Sequence, residues 1–155
     1  MDIQDLLTES YQQHGVSFSY PSGWTLTEQA SEEEIQVMVQ SPGTGFWILT
    51  LYFERPAMDD LIQSAIETYR DEYQAIDSFP SEQQVGAHVG SAVEIEFSCL
   101  DLMNTASIRT FATDRFTVLI LSQYSAEESE QISQLQQLMT QSIQCAEDFF
   151  GFEQT

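Results

Sequence analysis

The stretch Ser91-Ala92-Val93-Glu94-Ile95-Glu96-Phe97-Ser98-Cys99-Leu100, with the two runs that follow it, Asn104 to Phe111 and Phe116 to Tyr124, decides the fold. Val93, Ile95, Phe97 and Cys99 alternate with Glu94, Glu96 and Ser98, the period of two that marks a strand buried on one face. In the third run Val118-Leu119-Ile120-Leu121 has no polar break, so both of its faces need cover. Three consecutive strands with short connections make antiparallel hairpins, and the sheet they start must be packed on two sides.

Working outward, Phe46 to Phe53 is a second run of the doubly covered kind, entered through the turn Ser41–Gly45 and ended by Arg55-Pro56. Ile35, Val37 and Val39 alternate with Gln36, Met38 and Gln40, and Val16, Phe18 and Tyr20 alternate with serines. Pro21-Ser22-Gly23-Trp24 reads as the turn between that strand and the next, and a short strand is expected near Gln83–Ala87. Leu61, Ile62, Ala65, Ile66, Tyr69, Tyr73 and Ile76 form one stripe at helical spacing, which predicts a helix over 58–76. Ser125-Ala126-Glu127-Glu128 has the form of a capping box and opens a helix carrying Ile132, Leu135, Leu138, Met139 and Ile143. Ile3, Leu6, Leu7 and Tyr11 predict an amphipathic helix over 2–13, stopped at Gly15.

The expected order is helix, four strands, helix, four strands, helix. That predicts an α+β fold in one domain, 1–155, with a mainly antiparallel β-sheet sandwiched between α-helices. Its parts are an N-terminal helix (1–14), a core (15–144) and an acidic aromatic tail (145–155).

Charge limits the partners. The chain has 25 acidic residues against four Arg and no Lys, a formal charge of −21. Nucleic acid is excluded as an expected partner because binding to phosphate depends on cations that neutralise it. An anionic membrane surface is disfavoured for the same reason, whereas a basic or apolar polypeptide is not. No apolar run reaches the roughly 20 residues of a membrane span. The N-terminus lacks the basic start and long apolar block of a secretory signal, so the chain reads as cytoplasmic. Cys99 reads as a small buried residue on its strand and Cys145 as an exposed one after the last helix.

Phe18-Ser19-Tyr20-Pro21-Ser22-Gly23-Trp24 and Val85-Gly86-Ala87-His88-Val89-Gly90-Ser91-Ala92-Val93-Glu94-Ile95 resemble two segments of the PsbP-like family. That family includes DcrB-type bacterial proteins and Ran-binding Mog proteins. The first segment is similar to the family's strand followed by Pro-x-Gly-Trp, the second to its glycine-led approach to the central hairpins. The resemblance runs over about residues 14–144 and implies an α/β/α sandwich and a non-enzymatic binding role. Members act as an extrinsic photosystem subunit, a partner of a small GTPase, envelope lipoproteins, or cytosolic chaperones for secreted toxins. The cytosolic, acidic chaperone branch matches this chain best, and no family site residue carries over.

No catalytic or cofactor motif stands out. Gly43-x-Gly45 precedes no helix and lacks a third glycine, there is no Gly-x-Ser-x-Gly, and without lysine there is no phosphate-binding Walker loop. His14 and His88 lack zinc spacing to any second ligand. Glu94 and Glu96 share a strand face, about 7 Å apart. They read as a polar face paired with Arg109 across the hairpin, or as a cation site or acid/base pair. Phe149, Phe150 and Phe152, set among acids, either dock on their own domain or engage a partner. The expected function is a non-enzymatic protein-binding, adaptor or chaperone-like module without cofactor. The alternative is a small-ligand or cation-binding protein using the polar sheet face.

Overall fold

The computed structural model describes residues 2–81, 83–128 and 130–146. The three deciding runs form β9 (Ala92–Cys99), β10 (Leu102–Ala112) and β11 (Thr117–Ser125), joined as consecutive antiparallel hairpins. β11 then pairs with β5 (Phe46–Tyr52), which pairs with β4 (Glu34–Gln40) and, through it, with β3 (Thr25–Ala30). β6 (Ile76–Pro80) closes the other edge against β9, giving a seven-stranded antiparallel sheet in the order β3-β4-β5-β11-β10-β9-β6.

Two layers cover this sheet. On one face, α1 (Met58–Glu72) lays Ile62, Ala65, Ile66 and the buried Tyr69 over Val93, Ile95, Phe97, Ala106 and Ile108. On the other, α2 (Glu130–Gln141) is joined by a second, three-stranded sheet of β1 (Glu9–Gln13), β2 (Val16–Tyr20) and β12 (Gln144–Cys145). Their core holds Val37, Val39, Trp47, Leu49, Leu51, Val118 and Ile120 from the large sheet, with Val16 and Phe18 from the small one. β11 serves both cores: Val118 and Ile120 face the small sheet, while Leu119 and Leu121 pack on the α1 side. The two covers are therefore offset, one over the β9–β10 half and one over the β3–β4–β5 half. A two-strand hairpin, β7 (Gln84–Val85) and β8 (His88–Val89), adds buried Val85 to the second core.

The expected α/β/α sandwich is overturned. The fold is β-rich, with twelve strands and two α-helices among the described residues, and half of one sheet face is covered by a second sheet. The difference starts at residues 2–13, which form a short 3-10 turn (Ile3–Leu6) and strand β1 instead of a helix. His14 and Gly15, with φ of 58° and 84°, are the two central residues of a tight hairpin turn. Such a turn needs left-handed backbone at both positions, so Gly15 reverses a hairpin where the sequence pattern suggested a helix stop. Tyr11 then stacks on Phe18 across the hairpin, ring centroids 5.1 Å apart. Helix α1 also ends earlier than its stripe suggests: Tyr73 is extended at φ −124°, and Ile76 opens β6. Ser125 belongs to β11, although Glu128 does return its carboxylate to the Ser125 N–H at 3.4 Å. Cys145 is buried on β12, so residues 145 and 146 belong to the folded core, and Cys99 and Cys145 form no disulfide.

Two backbone positions can be tested. Gly90 approaches β10 so closely that a Cβ would sit 2.0 Å from the Thr110 carbonyl oxygen. Because the obstacle is backbone, Gly90→Ala should cost about 1–3 kcal/mol of stability in urea unfolding. Leu100, at the tip of the β9–β10 hairpin, has φ of 53° and is 92% exposed, so its side chain contributes no packing to offset the strain. Leu100→Asn should raise stability by roughly 0.5–1 kcal/mol in the same measurement, since asparagine tolerates the left-handed region.

An acidic half-face and a polar crevice as the candidate functional site

The offset of the two covers leaves the β6–β9–β10 half of one sheet face open on the small-sheet side. Residues directly opposite across antiparallel strands share a face. The register sets Glu96 between Asp77 and Thr105, and Glu94 between Phe79 and Ser107. Met103 stands opposite Ser98 on the same face. Phe79 is 43% and Met103 50% exposed, and Asp77 is exposed beside half-buried Glu94 and Glu96. Asp77 and Glu96 are like charges in direct opposition, an arrangement that destabilises the strand pair unless something cationic lies against it. Asp77 and Phe79 escape sequence reasoning because Ile76 continues the α1 stripe and hides the start of β6. The only signal for that strand is Pro80, which ends it.

Arg109 is buried on this face, but opposite Ala92 and not opposite Glu94, which pairs with Ser107. Arg109 thus lies on the same face as Glu94 and Glu96, two residues along β10 from Ser107, the residue directly opposite Glu94. Arg109 instead marks the boundary with α2, where the face folds into a crevice. A recess of about 30 Å³ is lined by Glu94, Ser107, Arg109, Ser122, Tyr124 and Gln136, among others. It adjoins a wider cleft of about 460 Å³ walled by Ile3, Arg109, Gln137, Leu138 and Gln141.

Gln136 is the fixed point of this crevice. Its side chain is 2% exposed, and its amide nitrogen donates to the carbonyls of Phe46 at 3.1 Å and Gln123 at 3.0 Å. Those bonds use both hydrogens of the amide. Its Oε1 is fully buried and has no hydrogen-bond partner among the described residues. One turn on, Thr140 Oγ1 accepts a 2.9 Å bond from the Trp47 indole N–H and donates to the Gln136 carbonyl at 3.1 Å. The recess is thereby held in place by the core itself.

The other singled-out residues lie elsewhere. His14 sits 3.4 Å from the Glu28 carboxylate, which also accepts a hydrogen bond from the Tyr11 hydroxyl, so this group ties the β1–β2 hairpin to β3. His88 stacks on Phe111 with centroids 4.3 Å apart. Gly43 and Gly45 pack against the Glu128 carboxylate and form no phosphate cradle. Phe149, Phe150 and Phe152 lie outside the described residues. No group of three or more His, Cys, Asp or Glu suited to a metal ion occurs among the described residues. No helix among the described residues is long and apolar enough to cross a membrane.

No protein-family model matches the chain, and no curated protein matches it. A solved structure from Bacteroides thetaiotaomicron VPI-5482 is similar, with a TM-score of 0.56 at 12% identity. The alignment covers 90% of this chain and 48% of that one, so the chain spans about half the length of that protein. The likeness is one of fold alone.

Burial raises the hydroxyl pKa of Tyr11, with the hydrogen bond to Glu28 and the charge of Glu28 adding to it. Burial likewise raises Tyr69, whose hydroxyl donates to Gln123 Oε1 at 2.7 Å. For a raised acid, the native state holds its proton longer than the unfolded chain does. The stability concerned is complete below the ordinary tyrosine value of 10.0 and is lost as pH climbs toward the raised one. Urea unfolding from about pH 9 upward should show stability falling by up to ~1.4 kcal/mol per pH unit for each such tyrosine. Tyr11→Phe should make that decline shallower. An unchanged slope would mean that Tyr11 ionises freely in the native state.

Proposed function

We propose that this protein is a non-catalytic binding module for a polypeptide segment carrying both basic and apolar side chains. The observation that carries this reading is the open half-face, where Asp77 opposes Glu96 with Phe79 and Met103 exposed beside them. Carboxylates without lysine neighbours attract a cationic segment, and the whole chain adds a long-range field of the same sign from its −21 charge. Phe79 and Met103 supply the apolar contacts that give such a complex its lifetime, Met being well suited to adapt to varied partners. The acidity of the sequence supports the same reading.

The test is capture from a source lysate at low and high salt, run in parallel with the wild-type chain and the double variant Phe79→Ser, Met103→Ser. A polypeptide held by the wild type should be retained about tenfold less by the variant, because burying two such side chains is worth well over ~1.4 kcal/mol. Retention should also fall as salt screens the acidic surface. Identical capture by both chains would overturn the assignment of the surface.

A further inference from the structure

We propose that the crevice between α2 and strands β10 and β11 binds a small, neutral, polyhydroxylated molecule of about monosaccharide size. This goes beyond the docking surface, since Phe79 and Met103 line neither the recess nor the cleft.

The inference starts from Gln136 Oε1, a buried acceptor held immobile by the two bonds of its own amide nitrogen. A buried acceptor requires a donor. Gln136 lines the recess together with Ser107, Ser122 and Ser133, three hydroxyl-bearing side chains. A hydroxyl donates and accepts at once, so this wall is matched by ligand groups that do the same. Glu94 adds an acceptor, Arg109 a fork of donors and Tyr124 a ring, against which the C–H side of a sugar or polyol can rest. The recess of about 30 Å³ takes a single hydroxyl. The adjoining cleft of about 460 Å³ takes the body of the molecule, with Ile3 and Leu138 as apolar wall and Gln134, Gln137 and Gln141 as amide rim.

Other ligand classes fit worse. An anion would enter against the charge of the whole chain and the carboxylate of Glu94 in the wall. A divalent cation would meet the Arg109 guanidinium, which borders both chambers. An apolar ligand would leave the amides and hydroxyls of the wall without partners.

The experiment uses the full chain labelled with ¹⁵N. Glucose, ribose, xylitol and myo-inositol are titrated separately into the millimolar range, with citrate and calcium chloride as comparators. At least one of the four polyols should shift the Gln136 side-chain amide and the Ser107 and Ser122 backbone amides saturably, whereas citrate and calcium should not. Ser107→Val should weaken that binding about tenfold, the scale of a lost hydrogen bond. Gln137→Ala, at an exposed helix position, should weaken it without altering the melting temperature, which guards against a folding defect in the first variant. Absence of a saturable shift with all four polyols would overturn the proposal and leave a buried water as the partner of Gln136. Binding of citrate or calcium at these residues, or an affinity that neither substitution changes, would overturn it equally.

Discussion

The seating of α2 on the sheet depends on three hydrogen bonds donated by two side chains, from Gln136 to the carbonyls of Phe46 and Gln123 and from Trp47 to the Thr140 hydroxyl. Phe46 and Gln123 are the last paired residues of the β5–β11 ladder. The glutamine thus satisfies backbone acceptors where the sheet runs out. Trp47 is wholly buried and packs at 4.6 Å on Phe18 of the small sheet, so its indole joins the large sheet, the small sheet and the helix at one point. Without that junction neither the crevice nor the return of the chain into β12 would have a fixed geometry.

From this junction the placement of the candidate surfaces follows. Because α2 and the small sheet are anchored over β4, β5 and β11, they stop short of β9 and β6. Because α1 takes the reverse of β9 and β10, it cannot cover them from the front. A seven-stranded sheet is wider than either cover, and the uncovered remainder carries acids and two exposed apolar side chains.

Much of the large sheet was legible in the residues. β4, β5, β9, β10 and β11 have patterns strong enough to stand alone, with alternation in β4 and β9 and unbroken apolar runs in β5 and β11. What escaped was short or ambiguous. Ile3, Leu6, Leu7 and Tyr11 fit a helical period, yet the segment is decided by His14-Gly15, a hairpin turn without the usual asparagine or aspartate signal. β6 was masked by Ile76, which serves the helical stripe and the strand equally. β12 is two residues long and exists through tertiary pairing with Val16 and Ser17. These misses together turned a layer of helix into a layer of sheet. The candidate site was legible only in part: Glu94, Glu96 and Arg109 were visible, whereas Asp77, Phe79 and Gln136 acquire meaning only from register and packing.

The edges of the large sheet carry a further consequence. β3 at one end has exposed Glu28 and Gln29, and β6 at the other is five residues long, with exposed Asp77 and Pro80, which has no N–H to offer. A strand from a second molecule arriving at either edge would meet charge or a missing donor. Both edges of the large sheet thereby oppose edge-to-edge joining with a second molecule.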